Sequence, residues 1–137
     1  MFFLFASPAI AHSPALRRLG AGLNQVRADY PSMTVGTLAT LIECARLGAE
    51  MNEAPSLALL GERLGIPYPS LTRQTDFLGD GIGKSPGLRL IEKRLAPDSR
   101  KNKIVEITPA GSILLAQLHN SLSSPVEIAA DITNSTD

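Results

Sequence analysis

The chain has 137 residues, 44% hydrophobic and 19% charged, with a single cysteine and thirteen basic side chains against thirteen acidic ones. That length holds one compact domain with short extra arms, the composition excludes intrinsic disorder, and one cysteine excludes an internal disulfide. Zero net charge argues against a nucleic-acid partner only until the charges are placed along the chain.

Residues 1–83 carry six basic and seven acidic side chains, residues 84–103 carry seven and two, and residues 104–137 carry none and four. A cationic stripe is thus set in an otherwise neutral or acidic chain, the distribution that a localised phosphate contact requires. A solvated charged loop is the plainer alternative.

The opening MFFLFASPAIAHS has the outline of a secretory leader, but it lacks a basic start and its apolar run, Phe2 to Ala6, is too short. No stretch reaches the length of a membrane span, so a cytoplasmic protein without membrane contact is expected. Three of the four phenylalanines lie here. The segment is expected to be an apolar arm buried against another subunit.

Ser13-Pro14 supplies a cap and a first position for a first helix, with Leu16, Leu19, Leu23 and Val26 at three-four spacing and Pro31 as its end. Thr34 caps a second helix, whose stripe is Val35, Leu38, Leu41 or Ile42, and Ala45, with Gly48 as its optional last member. Cys44 falls inside it and is expected to be a buried small residue rather than a redox switch. Pro55-Ser56 opens a third helix with Leu57, Leu60, Gly61 and Leu64 on one face, and Gly65 stops it. Gly61 costs helix propensity, so a close helix crossing is expected there.

A fourth helix spans Tyr68 to Leu78. At 100° per residue Leu71, Thr75 and Leu78 point inward with Gln74 at the inner edge, while Pro69, Thr72, Arg73 and Asp76 point outward and Ser70 flanks them. GDGIGKSPG (Gly79 to Gly87) reads as a loop. LRLIEKRL and KIVEIT read as antiparallel strands joined by APDSRKN. Thr108-Pro109 starts a fifth helix with Ile113, Leu114, Leu118 and Leu122, stopped at Ser123-Ser124-Pro125. The remaining VEIAADITNSTD is at most a short helix with a frayed end.

Two helices joined at a glycine turn and followed by a basic hairpin form a winged helix-turn-helix, mainly α with a small β-hairpin. LGERLGIPYPSLTR and PDSRKNKIVEITPAG make the chain resemble the MarR family of bacterial regulators over about Val35 to Leu118. The resemblance implies a homodimeric transcription factor that binds a near-palindromic double-stranded DNA operator and is often released by a small-molecule effector. It implies an arm and dimerisation helix over 1–32, the DNA-binding domain over 33–118, and a short C-terminal dimerisation segment or frayed tail over 119–137. Three features depart from the family pattern: GDGIGKS is an apparent insertion, Ser99 stands where the family favours an aspartate in the wing, and the C-terminal helices are short.

Within such a module Arg73 is the candidate base reader, because a guanidinium bonds guanine O6 and N7 in a bidentate manner, with Asp76 at i+3 to orient it. Tyr68, Pro69, Ser70 and Thr72 stand near the helix start as base or phosphate contacts, although hydroxyls there also serve as caps. Arg100 at the wing tip is expected to enter a minor groove, and Lys101, Lys103 and Arg94 to contact the backbone. A protein-interaction module that docks an acidic partner through the basic wing is the alternative use of the same fold.

Gly83-Lys84-Ser85 resembles the end of a phosphate-binding loop, but the glycine required five positions before Gly83 is Leu78, and no strand precedes it. His12 and His119 are far apart and lack cysteine or histidine neighbours, so no metal is expected. No nucleophile–base–acid set stands out, and neither catalysis nor a cofactor is expected.

Overall fold

The computed structural model describes residues 7–98 and 102–123. Among these the elements are α1 (Pro8–Ala11), α2 (Pro14–Asp29), α3 (Val35–Met51), α4 (Leu57–Leu64), α5 (Tyr68–Leu78), β1 (Gly81–Ile82), β2 (Ser85–Pro86), β3 (Ile91–Leu95), β4 (Lys103–Ile107) and α6 (Pro109–Ser123). The fold is mainly α with small antiparallel hairpins, and α4, α5 and the β3–β4 wing form the winged helix-turn-helix.

Helices begin where the sequence supplies oxygen caps. The side chains of Ser13, Thr34 and Ser56 accept from the backbone N–H groups of Leu16, Thr37 and Leu59 at 3.4, 3.0 and 3.1 Å. Each such cap stabilises its helix by about 1 kcal/mol. Thr108 does the same for α6, accepting from Gly111 N at 3.1 Å while its hydroxyl donates to the Arg89 carbonyl. Gly65 closes α4 in the left-handed region at φ 66°, with Ile66 N donating back to the Gly61 carbonyl.

The residues 32–115 form one compact unit, and 7–31 with 116–123 belong to another. In the first, Leu41, Leu47, Leu60, Leu71, Leu78, Leu90 and Val105 are fully buried. Each contributes on the order of 2 kcal/mol of hydrophobic burial. The Gly61 crossing is present: a β-carbon there would lie 2.8 Å from Leu71 Cδ2, so α4 and α5 approach at the one position without a side chain. In the second unit α2 buries Gly22 and Val26. Leu16, Leu19 and Leu23 of the same expected stripe stay exposed, at 45, 40 and 37%.

Several expectations are corrected. Part of the opening arm, Pro8 to Ala11, is a single helical turn that begins after Ser7 without a side-chain cap, and Pro8 at its first position has no N–H to leave unserved. Val35 is 79% exposed, and the inward face of α3 runs instead through Thr37, Leu38, Thr40, Leu41, Cys44 and Leu47. The Gly79 to Gly87 stretch is a miniature hairpin rather than an irregular loop, with Ile82 opposite Ser85 across Gly83-Lys84. Gly83 takes a positive φ of 58° and Lys84 does not, the sign pattern of a II′ hairpin turn. The first wing strand starts at Ile91, not Leu88. Arg89 adopts φ 58°, and the N–H groups of Leu88, Arg89 and Leu90 bond the carbonyls of Phe77, Gly79 and Leu78 at the end of α5.

Candidate nucleic-acid interface

The start of α5 is unusually open. Its N-cap is Pro67, which offers no side-chain acceptor, and Pro69 removes one amide from the first turn. The amides that remain there carry the positive end of the helix dipole and suit a phosphate oxygen. Around them Pro69, Ser70 and Arg73 are exposed and Tyr68 is 60% exposed. No hydrogen bond or ion pair engages Arg73 among the described residues. The inner arc of the helix is Leu71, Thr75 and Leu78, all buried.

Thr72 was expected to point outward and does not. It is half-buried, and its Oγ1 is inaccessible and without a hydrogen-bond partner among the described residues. It stands about 100° from Arg73 around the axis, on the flank of the helix rather than its outer face. Asp76 also departs from expectation: its carboxylate pairs with Lys93 of β3 rather than orienting Arg73. The Lys93 side chain is only 14% exposed.

The hairpin register sorts the wing cations onto two faces. Ile91, Lys93 and Leu95 pair with Ile107, Val105 and Lys103, whereas Glu92 and Arg94 pair with Glu106 and Ile104. Paired residues share a face and neighbours alternate, and the Lys93–Asp76 bond shows that the first set faces α5. Lys103 is therefore on the α5 side and exposed. Arg94 is on the other side, where it forms a diagonal ion pair with Glu106. That pair offsets the like-charge opposition of Glu92 and Glu106 across the strands. The structure puts Pro69, Ser70 and Arg73 on one exposed arc, sets Tyr68 about 140° from Arg73 around the axis, and leaves Arg94 on the other face of the hairpin from Lys103. Arg100 and Lys101 lie outside the described residues, as do the Phe-rich start and the C-terminal tail.

Lys93 was not singled out from the sequence, although it alternates with Ile91 and Leu95. A cation at a core-facing strand position needs a partner, and that signal was available. On the far face of the hairpin lies a cleft of about 810 Å³ whose walls include Cys44, Met51, Pro55, Arg94, Ile104 and Leu115. Burial pushes the Cys44 thiol up to about 12, and its Sγ faces the Val105 carbonyl at 3.8 Å. The expectation of a buried cysteine holds. No group of three or more histidine, cysteine or acidic side chains could hold a metal among the described residues. No described helix is long and apolar enough to cross a membrane.

No protein-family model and no curated protein matches the sequence. Solved structures do resemble the chain. RV1404 from Mycobacterium tuberculosis superposes with a TM-score of 0.64 at 21% identity, covering 92% of this chain and 75% of that one. A mutant of MarR from E. coli in complex with operator DNA gives 0.54 at 16% identity, covering 93% and 90%. BpsR from Bordetella bronchiseptica, whose DNA binding is regulated by 6-hydroxynicotinic acid, gives 0.50 at 22% identity, covering 89% and 77%. At these identities the shared property is the fold, which is that of the MarR-type winged-helix regulators.

Proposed function

We propose that this chain is a homodimeric, sequence-specific regulator of transcription of the MarR type that binds double-stranded DNA. α5 would lie in the major groove and the wing in the adjacent minor groove. The observation that carries the proposal is the exposed start of α5, where uncapped amides, Ser70 and Arg73 share one surface on a fold also seen bound to operator DNA. Arg73 is the base reader, Tyr68, Pro69 and Ser70 position the helix start, and Lys103 serves the backbone. Arg100 and Lys101 complete the wing in this proposal. A cytoplasmic location follows from that role.

Homodimerisation is supported by the leucines of α2 that remain exposed at i, i+3 and i+7. A second copy presenting the same stripe would cover them isologously. The 1–32 and 119–137 segments are the proposed pairing elements flanking the 33–118 DNA-binding domain. Control by a small effector is part of the same proposal, since BpsR is regulated in that way. The 810 Å³ cleft has the size of an ordinary small-ligand site.

Selection of bound fragments from random duplexes tests the proposal. The expected product is an inverted repeat with half-sites roughly 34 Å apart, one turn of DNA. Binding that fails on every duplex, or that is insensitive to salt, would overturn it. If Arg73→Glu left binding intact while reversal at Lys103 abolished it, the wing would instead be docking an acidic protein.

A further inference from the structure

Gln74 and Asp76 stand two positions apart on α5, about 200° around the helix axis, so they leave it on opposite flanks. On one flank the Gln74 amide meets Thr40 Oγ1 of α3. Thr40 is 1% exposed, and its Oγ1 also lies 3.0 Å from the Gly36 carbonyl. Thr40 Oγ1 is the donor on this flank, its one proton shared between Gln74 Oε1 and the Gly36 carbonyl. On the other flank the Asp76 carboxylate holds Lys93 of β3. With Arg73 set at zero, Gln74 falls at about +100° and Asp76 at about −60°. The arc between them contains Pro69, Ser70, Arg73 and the half-buried Phe77, and the remaining arc contains Leu71, Thr75 and Leu78 with Thr72 and Tyr68 toward its edge.

We propose that Gln74 and Asp76 are positioning residues that clamp the roll of α5, through Thr40 on one side and Lys93 on the other. The apolar arc alone resists roll weakly, because leucine contacts are non-directional. Two directional bonds on opposite flanks fix the angle at which Arg73 and Ser70 face outward. A roll of about 20° at a radius of about 6 Å moves a side-chain tip by roughly 2 Å, enough to break a bidentate base contact. The Lys93 bond also ties this angle to the wing strand. The consequence for specificity rests on the DNA-binding proposal above; the clamp itself does not.

Two measurements separate these claims. Spin labels at Arg73→Cys and Lys103→Cys, with native Cys44 buried, report the helix-to-wing distance without DNA. Adding Gln74→Leu or Lys93→Met is expected to broaden that distance distribution, and the swapped pair Asp76→Lys with Lys93→Asp to narrow it again. Unchanged distributions in folded variants would overturn the clamp. On DNA, the ratio of affinity for the selected site to that for random duplex is expected to fall about tenfold or more in Gln74→Leu, with random-duplex affinity kept. A lowered melting temperature with an unchanged ratio would show a merely structural role. Absence of binding by the wild-type chain would sink the DNA-binding proposal and leave the label distances to judge the clamp.

Discussion

At the scale of single residues, the surface of α5 divides exposed side chains, to which the proposal gives base contacts, from buried ones that hold the helix in place. Arg73 is exposed and unengaged among the described residues, so Arg73→Ala should cost about 1–3 kcal/mol of discrimination at one base pair, with other positions unchanged. Competition binding against operators substituted one position at a time checks this. Uniform loss across all operators would make Arg73 a phosphate contact instead. Lys103→Ala should lower affinity equally for every sequence and reduce the salt slope by about one. Cys44 is predicted to be silent: with its thiol raised from 9.0 to about 12 by burial, almost no thiolate forms in the folded state near pH 8. Iodoacetamide should label the unfolded chain and spare the native one. The Cys44 contribution to stability is therefore intact below pH 9.0 and is lost as pH climbs toward 12.

At the scale of elements, what was legible in the sequence was local. Ser13-Pro14, Thr34, Ser56 and Gly65 mark helix ends because each acts on backbone groups within four residues. The bounds of α5 and the register of the wing follow from period and turn residues in the same way. The missed features depend on distant partners. Asp76 reads as a partner for Arg73 because i+3 neighbours are visible in sequence, whereas Lys93 reaches it only once the strand has folded back. Arg89 reads as part of a strand until its N–H is drawn to the end of α5. Gly61 is the intermediate case, where a local cost signalled a tertiary contact. Gly61→Ala gains about 1 kcal/mol of helix propensity but sets a methyl 2.8 Å from Leu71 Cδ2. Overpacking of this kind costs about 1–3 kcal/mol, so the clash should win. The variant should melt several degrees lower, and a rise in melting temperature would show that Leu71 yields freely.

At the scale of the whole molecule, the proposed two-fold pairing needs an apolar surface for the second copy. Leu16, Leu19 and Leu23 lie on one side of α2 and are exposed in the single chain, whereas a helix that served only its own core would bury that stripe. In a two-fold dimer each substitution is made twice. A glutamate at Leu19 would place two uncompensated carboxylates in the apolar seam, at about 2 kcal/mol each. The dimer dissociation constant should then rise roughly a thousandfold. Sedimentation equilibrium at micromolar concentration should find Leu19→Glu monomeric and the wild type dimeric. DNA binding supplies a linked and sharper readout. A monomer engages one half-site and half the phosphates, so the salt slope of Leu19→Glu should be about half that of the wild type. Its preference within a single half-site should be unchanged, because α5 lies elsewhere in the chain. A variant that becomes monomeric yet keeps the full slope would mean that one chain covers the whole site, and the two-fold arrangement would have to be abandoned.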